Sequence, residues 1–214
     1  MTTILATASL LFAYANAPVT DMREEPKRDS LMASQVCYAE PVRLIEERGD
    51  WVKIETCIDH YQGWVEKQVL TYRPDEYLTR PETTVARVNR LMAHIYDRED
   101  TMYGRLLTVP FETCLEVIEQ IGGANGRWIK IALPDGQAAF IQRGDVSFET
   151  KKLTLQEMCE FSRQFLGLPY TYGGRSSFGY DCSGFVQMLY RQMGLFIPRD
   201  TKDQITWEGF VPTA

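Results

Sequence analysis

A chain of 214 residues, 44% hydrophobic and 24% charged, has an ordinary globular composition, long enough for one or two domains or three small modules. Its net charge of −6 argues against nucleic acid or an anionic membrane surface as partner. Five cysteines, at positions 37, 57, 114, 159 and 182, show no CxxC spacing and no companion histidine cluster, so neither a metal site nor a disulfide framework is expected.

Ile4 to Ala17 is apolar and ends Ala15-Asn-Ala17, which also has the look of a signal-peptidase site. No Lys or Arg precedes the run, and it is too short to span a bilayer. It reads as a strand from Leu10 to Ala17 leading to a turn at Asp21–Pro26. The chain is therefore expected to be cytoplasmic, with export the alternative if residues 1–17 act as a signal peptide.

Val42-Arg-Leu-Ile-Glu, a turn at Arg48-Gly-Asp, Trp51-Val-Lys-Ile-Glu, a turn at Asp59-His60 and Tyr61-Gln-Gly-Trp64 follow. Short alternating strands with close turn signals predict a small antiparallel barrel. Leu115-Glu-Val-Ile-Glu, the Gly122–Gly126 turn and Trp128-Ile-Lys-Ile-Ala echo this pattern, so two tandem barrels are expected, at 8–72 and 82–147. Thr71 to Pro81 between them has the proline and charge content of a linker.

From Thr154 the period becomes helical. Leu155, Met158, Cys159, Phe161, Phe165 and Leu166 recur at helix spacing behind a Thr154/Glu157 capping box, and Gly167-Leu-Pro169 stops the run. A second helix, from about Cys182 to Gly194, is expected to bury Phe185, Val186, Leu189, Tyr190 and Met193. Cys37, Cys57, Cys114 and Cys159 lie in apolar periodic stretches and read as small buried hydrophobes.

Cys182 differs. A glycine-rich approach, an acidic residue, the cysteine and then a helical pattern put this thiol at a helix N-terminus, where backbone N–H groups and the dipole stabilise a thiolate. A thiolate attacks carbonyl carbon at neutral pH. The bland reading is a buried helix-start cysteine. Gly173, Gly174 and Gly179 do not form GxGxxG, which disfavours nucleotide binding.

Tyr170-x-Tyr-Gly-Gly, Asp181-Cys-Ser-Gly-Phe185 and Ile197-Pro-Arg-Asp-Thr201-x-x-Gln204 together closely resemble the NlpC-type cell-wall cysteine peptidases. The resemblance implies an α+β chain: two SH3-like β-barrels followed by part of a papain-like catalytic domain, 153–214. It further implies a cysteine peptidase that hydrolyses γ-D-glutamyl–diaminopimelate bonds of peptidoglycan stem peptides or recycled muropeptides such as L-Ala-γ-D-Glu-diaminopimelate, with no cofactor and no metal. By the same resemblance Cys182 is the nucleophile and Tyr170 supports the thiolate or its oxyanion. Asp181 would face the substrate amine, Tyr61 would contact the N-terminal alanine, and Thr201 and Ser183 would line the substrate site.

Each residue has a structural alternative. Tyr170 can be a turn aromatic, Asp181 a helix cap, Tyr61 a packing residue between barrels and Thr201 a cap of the next turn. Arg199 reads as an ion-pair residue. The family's catalytic histidine has no counterpart after Cys182, and His60 and His94 fall in barrel segments. Three accounts follow: a shortened peptidase, inactive in this form; a non-catalytic muropeptide-binding protein; or a tandem-barrel scaffold.

Overall fold

The computed structural model describes residues 12–78 and 84–210. Residues 1–11, 79–83 and 211–214 lie outside this range, and with them the first residues of the expected opening strand, the end of the linker and the final tail.

The fold is α+β. The first sheet holds β1 (Phe12–Ala15), β2 (Val19–Arg23), β3 (Met32–Cys37), β4 (Pro41–Arg48), β5 (Trp51–Thr56), β6 (Gln62–Glu66) and β7 (Leu70–Arg73), in the order β3-β2-β6-β5-β4-β1-β7. The second holds β8 (Val85–Val88), β9 (Met92–Tyr96), β10 (Arg105–Pro110), β11 (Cys114–Gln120), β12 (Trp128–Ala132), β13 (Ala138–Gln142) and β14 (Val146–Ser147). Its order, β10-β9-β13-β12-β11-β8-β14, is the first order repeated strand for strand. Both copies carry a register shift at the same place, between Leu44 and Glu46 and between Val117 and Glu119. A bulge there bends the long hairpin and helps the sheet curl on itself. The repeat read from the Trp51 and Trp128 strands is thus a repeat of topology.

Alternation decides the cores. Trp51–Thr56 buries Val52, Ile54 and Thr56 and leaves the residues between half-exposed. The described part of the Thr71–Pro81 segment, residues 71–78, is held in place. Thr71 to Arg73 belong to β7, and Tyr77, 1% exposed, is wedged between the barrels. Its amide donates to Tyr14 Oη (2.7 Å), its hydroxyl donates to the Ala132 carbonyl (2.7 Å), and its ring meets Tyr14 edge-on. A buried phenol needs such a partner, and this one ties the two barrels together.

The helical unit contains α1 (Leu155–Ser162), a two-residue hairpin of β15 (Arg175–Ser176) and β16 (Gly179–Tyr180), α2 (Cys182–Gln192) and α3 (Thr201–Ile205). Both halves of the Thr154/Glu157 capping box form. The apolar faces find a partner in the second barrel: Phe111 packs against Phe161 and Phe165 within a cluster that includes Met158, Tyr180, Met188 and Leu189. The buried face of α2 is Ser183, Gly184, Gln187, Met188 and Leu189, whereas Val186 and Tyr190 are only half-buried. This face is partly polar because it lies against barrel turns as well as hydrocarbon. No helix among the described residues is long and apolar enough to cross a membrane.

Candidate active site

Cys182 is the first residue of α2, and its side chain is exposed. Two glycines set its position. A Cβ on Gly184 would lie 2.4 Å from the Gly174 carbonyl oxygen, and one on Gly174 would lie 2.1 Å from that of Gly179. The helix can therefore seat on the Thr171–Gly174 turn only with glycine at both places, and this seating leaves the thiol facing outward. The amides at the first helical positions have no intrahelical acceptor; Asp181 takes that of Gly184, which leaves those of Cys182 and Ser183 for a ligand oxygen.

Beside Cys182 is a groove of about 270 Å³ lined by Phe165, Leu168, Pro169, Tyr170, Tyr180 and Phe185, with Asp181 at its floor. Tyr170 stands on the rim, 67% exposed. Desolvation raises its hydroxyl above the ordinary tyrosine range, with a further push from Cys182 and Asp181. On the other side Thr201 Oγ1 is 3.9 Å from Cys182 Sγ. The structure thus brings Cys182, Tyr170 and Thr201 to one opening.

Asp181 and Ser183 are tied into the start of α2. Asp181 caps α2 by accepting from the Gly184 amide at 2.7 Å, and Arg199 forks onto it at 3.1 and 2.8 Å. Arg199 is 3% exposed and donates also to Ser183 Oγ (2.9 Å), to the Gly174 carbonyl (3.3 Å) and to Ser34 Oγ of the first barrel (3.2 Å). Ser183 points inward, 6% exposed. Asp181 thus lines the groove while it caps the helix and pairs with a buried arginine, and Ser183 lies beneath it. Arg199 is the ion-pair residue it reads as.

A second carboxylate near Thr201 is Asp200. It precedes Thr201, and its side chain is 28% exposed. It accepts from Tyr61 Oη at 3.2 Å, while Lys202 approaches to 3.8 Å from solvent. Tyr61 therefore reaches from the first barrel to the residue that precedes Thr201. Desolvation, followed by the Asp200 charge, pushes its hydroxyl up to about 12. Asp200 stands in the Pro-Arg-Asp-Thr string, so its signal was present in the sequence, but two aspartates of similar context compete there.

Other groups fix the barrel against the site without a local signal. Arg175, 3% exposed, forks onto Glu40 at 2.7 and 2.8 Å and donates to the Gln35 carbonyl. Gln187 donates to Asp59 at 2.9 Å. Burial pushes the Asp59 carboxyl up, but Arg175, Thr56, Gln187 and the Tyr61 amide together hold it below the usual range. From the second barrel, Glu112 accepts from Arg191 (2.5–3.1 Å) and Gln192 (2.7 Å), gripping the last turn of α2.

The remaining cysteines only partly meet expectation. All five thiols are free; Cys37 is buried and Cys114 half-buried, but Cys57 and Cys159 are exposed, on a turn and on the outer face of α1. Among the described residues no group of side chains is arranged to hold a metal. His60 lies beside Glu55 and His94 bonds Thr108, and neither ring bonds Cys182.

Residues 22–70 match the bacterial dipeptidyl-peptidase SH3 domain, and residues 167–211 match the NlpC/P60 family. The chain is 27% identical over 185 residues to a γ-D-glutamyl-L-lysine dipeptidyl-peptidase of Bacillus cereus, covering 81% of this chain and 54% of that protein. It is 29% identical over 189 residues to its namesake in Bacillus subtilis, covering 82% and 58%. The chain thus spans a little over half the length of these relatives. A crystal structure of an NlpC/P60 family protein from Bacillus cereus superposes with a TM-score of 0.78 at 23% identity, covering 90% of this chain and 76% of the other, which establishes the shared fold. The chain thus joins a segment similar to the bacterial dipeptidyl-peptidase SH3 domain to a segment similar to the NlpC/P60 family, in which Cys182 opens a helix.

Proposed function

We propose that this chain presents a thiol-peptidase groove for short peptidoglycan-type peptides with a free amino terminus, of the L-Ala-γ-D-Glu-X class. The third residue X is diaminopimelate or lysine; the names of the relatives support lysine. The observation that carries the reading is an exposed helix-start thiol beside a groove, with Thr201 at 3.9 Å and the Tyr61–Asp200 bond at the residue next to Thr201.

In this reading Cys182 attacks the γ-glutamyl carbonyl, and its own amide, with Tyr170 on the rim, receives the oxyanion. Asp200 takes the substrate ammonium by charge pairing, and the face of Tyr61 adds a cation–π contact. Asp181 and Arg199 act one layer below by holding the start of α2. General acid–base transfer needs a group near pH 7 within hydrogen-bond reach of the thiol. Both histidines of this sequence are engaged in the barrels. That engagement favours a second reading, in which this chain by itself binds the peptide with little turnover.

Calorimetry with L-Ala-γ-D-Glu-L-Lys and its diaminopimelate analogue, with product analysis by mass spectrometry, tests both readings. Binding is expected, weakened about tenfold or more by Asp200→Asn, which removes a charge-assisted bond. Cys182→Ala should keep the binding and lose any cleavage. No detectable binding of either peptide, or equal affinity for Asp200→Asn, would end the proposal.

A further inference from the structure

The repeat of the two barrels has a consequence away from the groove. The turn joining β3 to β4 and the turn joining β10 to β11 are equivalent, and each holds a non-glycine residue in the left-handed region: Ala39 at φ 65° and Glu112 at φ 69°. Each turn also supplies a carboxylate to an arginine of the helical unit, Glu40 to Arg175 and Glu112 to Arg191. Where the two turns meet that unit lies a cavity of about 290 Å³, sharing no lining residue with the groove beside Cys182. Tyr38, Leu78 and Phe111 give it an apolar wall, and Cys37, Cys57 and Cys114 line its side.

Guanidiniums outnumber carboxylates by one along its lining, with Asp59 outside the lining 3.7 Å from Arg175. The lining guanidiniums are Arg87, Arg175 and Arg191, and the lining carboxylates are Glu40 and Glu112. Glu40 is taken by the Arg175 fork and Glu112 by the Arg191 fork. Arg87 is left with a loose approach to Glu112 at 3.7 Å, its side chain 38% exposed. Thr113, on the same wall, has a buried hydroxyl with no partner among the described residues. An apolar junction cavity of this size with a few convergent polar groups is a common setting for a small ligand.

We propose that this cavity is a second ligand site, for a small molecule with an apolar body and a single carboxylate. The carboxylate pairs with Arg87 and takes the Thr113 hydroxyl, and the body packs on Tyr38, Leu78 and Phe111. The proposal makes no use of the thiol groove and stands independently of the function proposed above.

The test uses hexanoate and 3-phenylpropanoate as probes on the full chain, with calorimetry and iodoacetamide labelling resolved by peptide mass spectrometry. Saturable one-to-one binding is expected, with Cys57 labelling slowed and Cys182 labelling unchanged. Arg87→Gln, or the uncharged 3-phenylpropanamide in place of the acid, should lower affinity about tenfold or more, as loss of a charge-assisted bond requires. Arg87 is partly exposed, so its replacement should leave the fold intact, and the amide comparison needs no variant. Absence of saturable binding by both acids would overturn the proposal. So would protection of Cys182 instead of Cys57, or equal affinity for acid and amide.

Discussion

Replacing Arg199 with methionine isolates what holds the thiol-bearing helix in place. The guanidinium donates five hydrogen bonds, two of them to Asp181, from a site 3% exposed. Methionine keeps the apolar stem and deletes the fork. Removing one partner of a buried ion pair costs about 3–5 kcal/mol, because the other charge is left unpaired. Asp181 would keep the Gly184 amide and the Ser183 hydroxyl, so the loss is expected near the lower end, about 3 kcal/mol. Adding Asp181→Asn removes the stranded charge while keeping the capping oxygen, so the double variant should recover about 1–2 kcal/mol. Urea unfolding followed by tryptophan fluorescence reads both changes, with constant m-values confirming an unaltered transition. A cost for Arg199→Met below about 1 kcal/mol, the range of an exposed pair, would refute the reasoning. Strict additivity of the two substitutions would refute it as well.

Other outcomes follow from the same geometry. Burial raises the Glu112 carboxyl, but Arg191, Gln192 and Arg87 outweigh it and depress it below its ordinary value. Its contribution is therefore full above the unfolded value of about 4.3 and is lost as pH falls through the folded value below that. Glu112→Gln should flatten the acid limb of a stability–pH curve, and an unchanged limb would contradict this. Thr154→Ala removes one half of the capping box and should cost about 1 kcal/mol by chemical denaturation. Burial pushes the Cys37 thiol up to about 12, so in the native protein at pH 8 iodoacetamide should spare Cys37 while labelling exposed Cys159 and Cys182. Rapid labelling of Cys37 would show that the first barrel opens.

Local patterns were readable in the chain. The Thr154/Glu157 box, the helix start at Cys182 and the echo between the Trp51 and Trp128 strands depend on residues near in sequence, and the structure bears them out. What was not readable depends on distant partners. Asp181 and Asp200 both flank motif residues, and only the Arg199 fork, 18 residues from Asp181, shows which of them pairs with a buried arginine. Arg175 meets Glu40 across 135 residues, and nothing in the hairpin 175–180 announces it. Tyr77 sat in a segment whose prolines and charges read as linker, yet it became the wedge between the barrels. Cys57 and Cys159 occupy apolar stretches but project from the outer side of their elements, and a heptad or alternation pattern two residues wide does not resolve that.

The seam between the first barrel and the helical unit is closed by buried groups: Arg175 on Glu40 and Gln35, Gln187 on Asp59, Arg199 on Ser34. Parting these surfaces would leave several desolvated charges without counterparts at once. That joint cannot serve as a hinge. The Tyr61–Asp200 pair and the thiol are thus carried on one welded frame, so any spacing between them is that of a fixed gauge in place of a closing jaw.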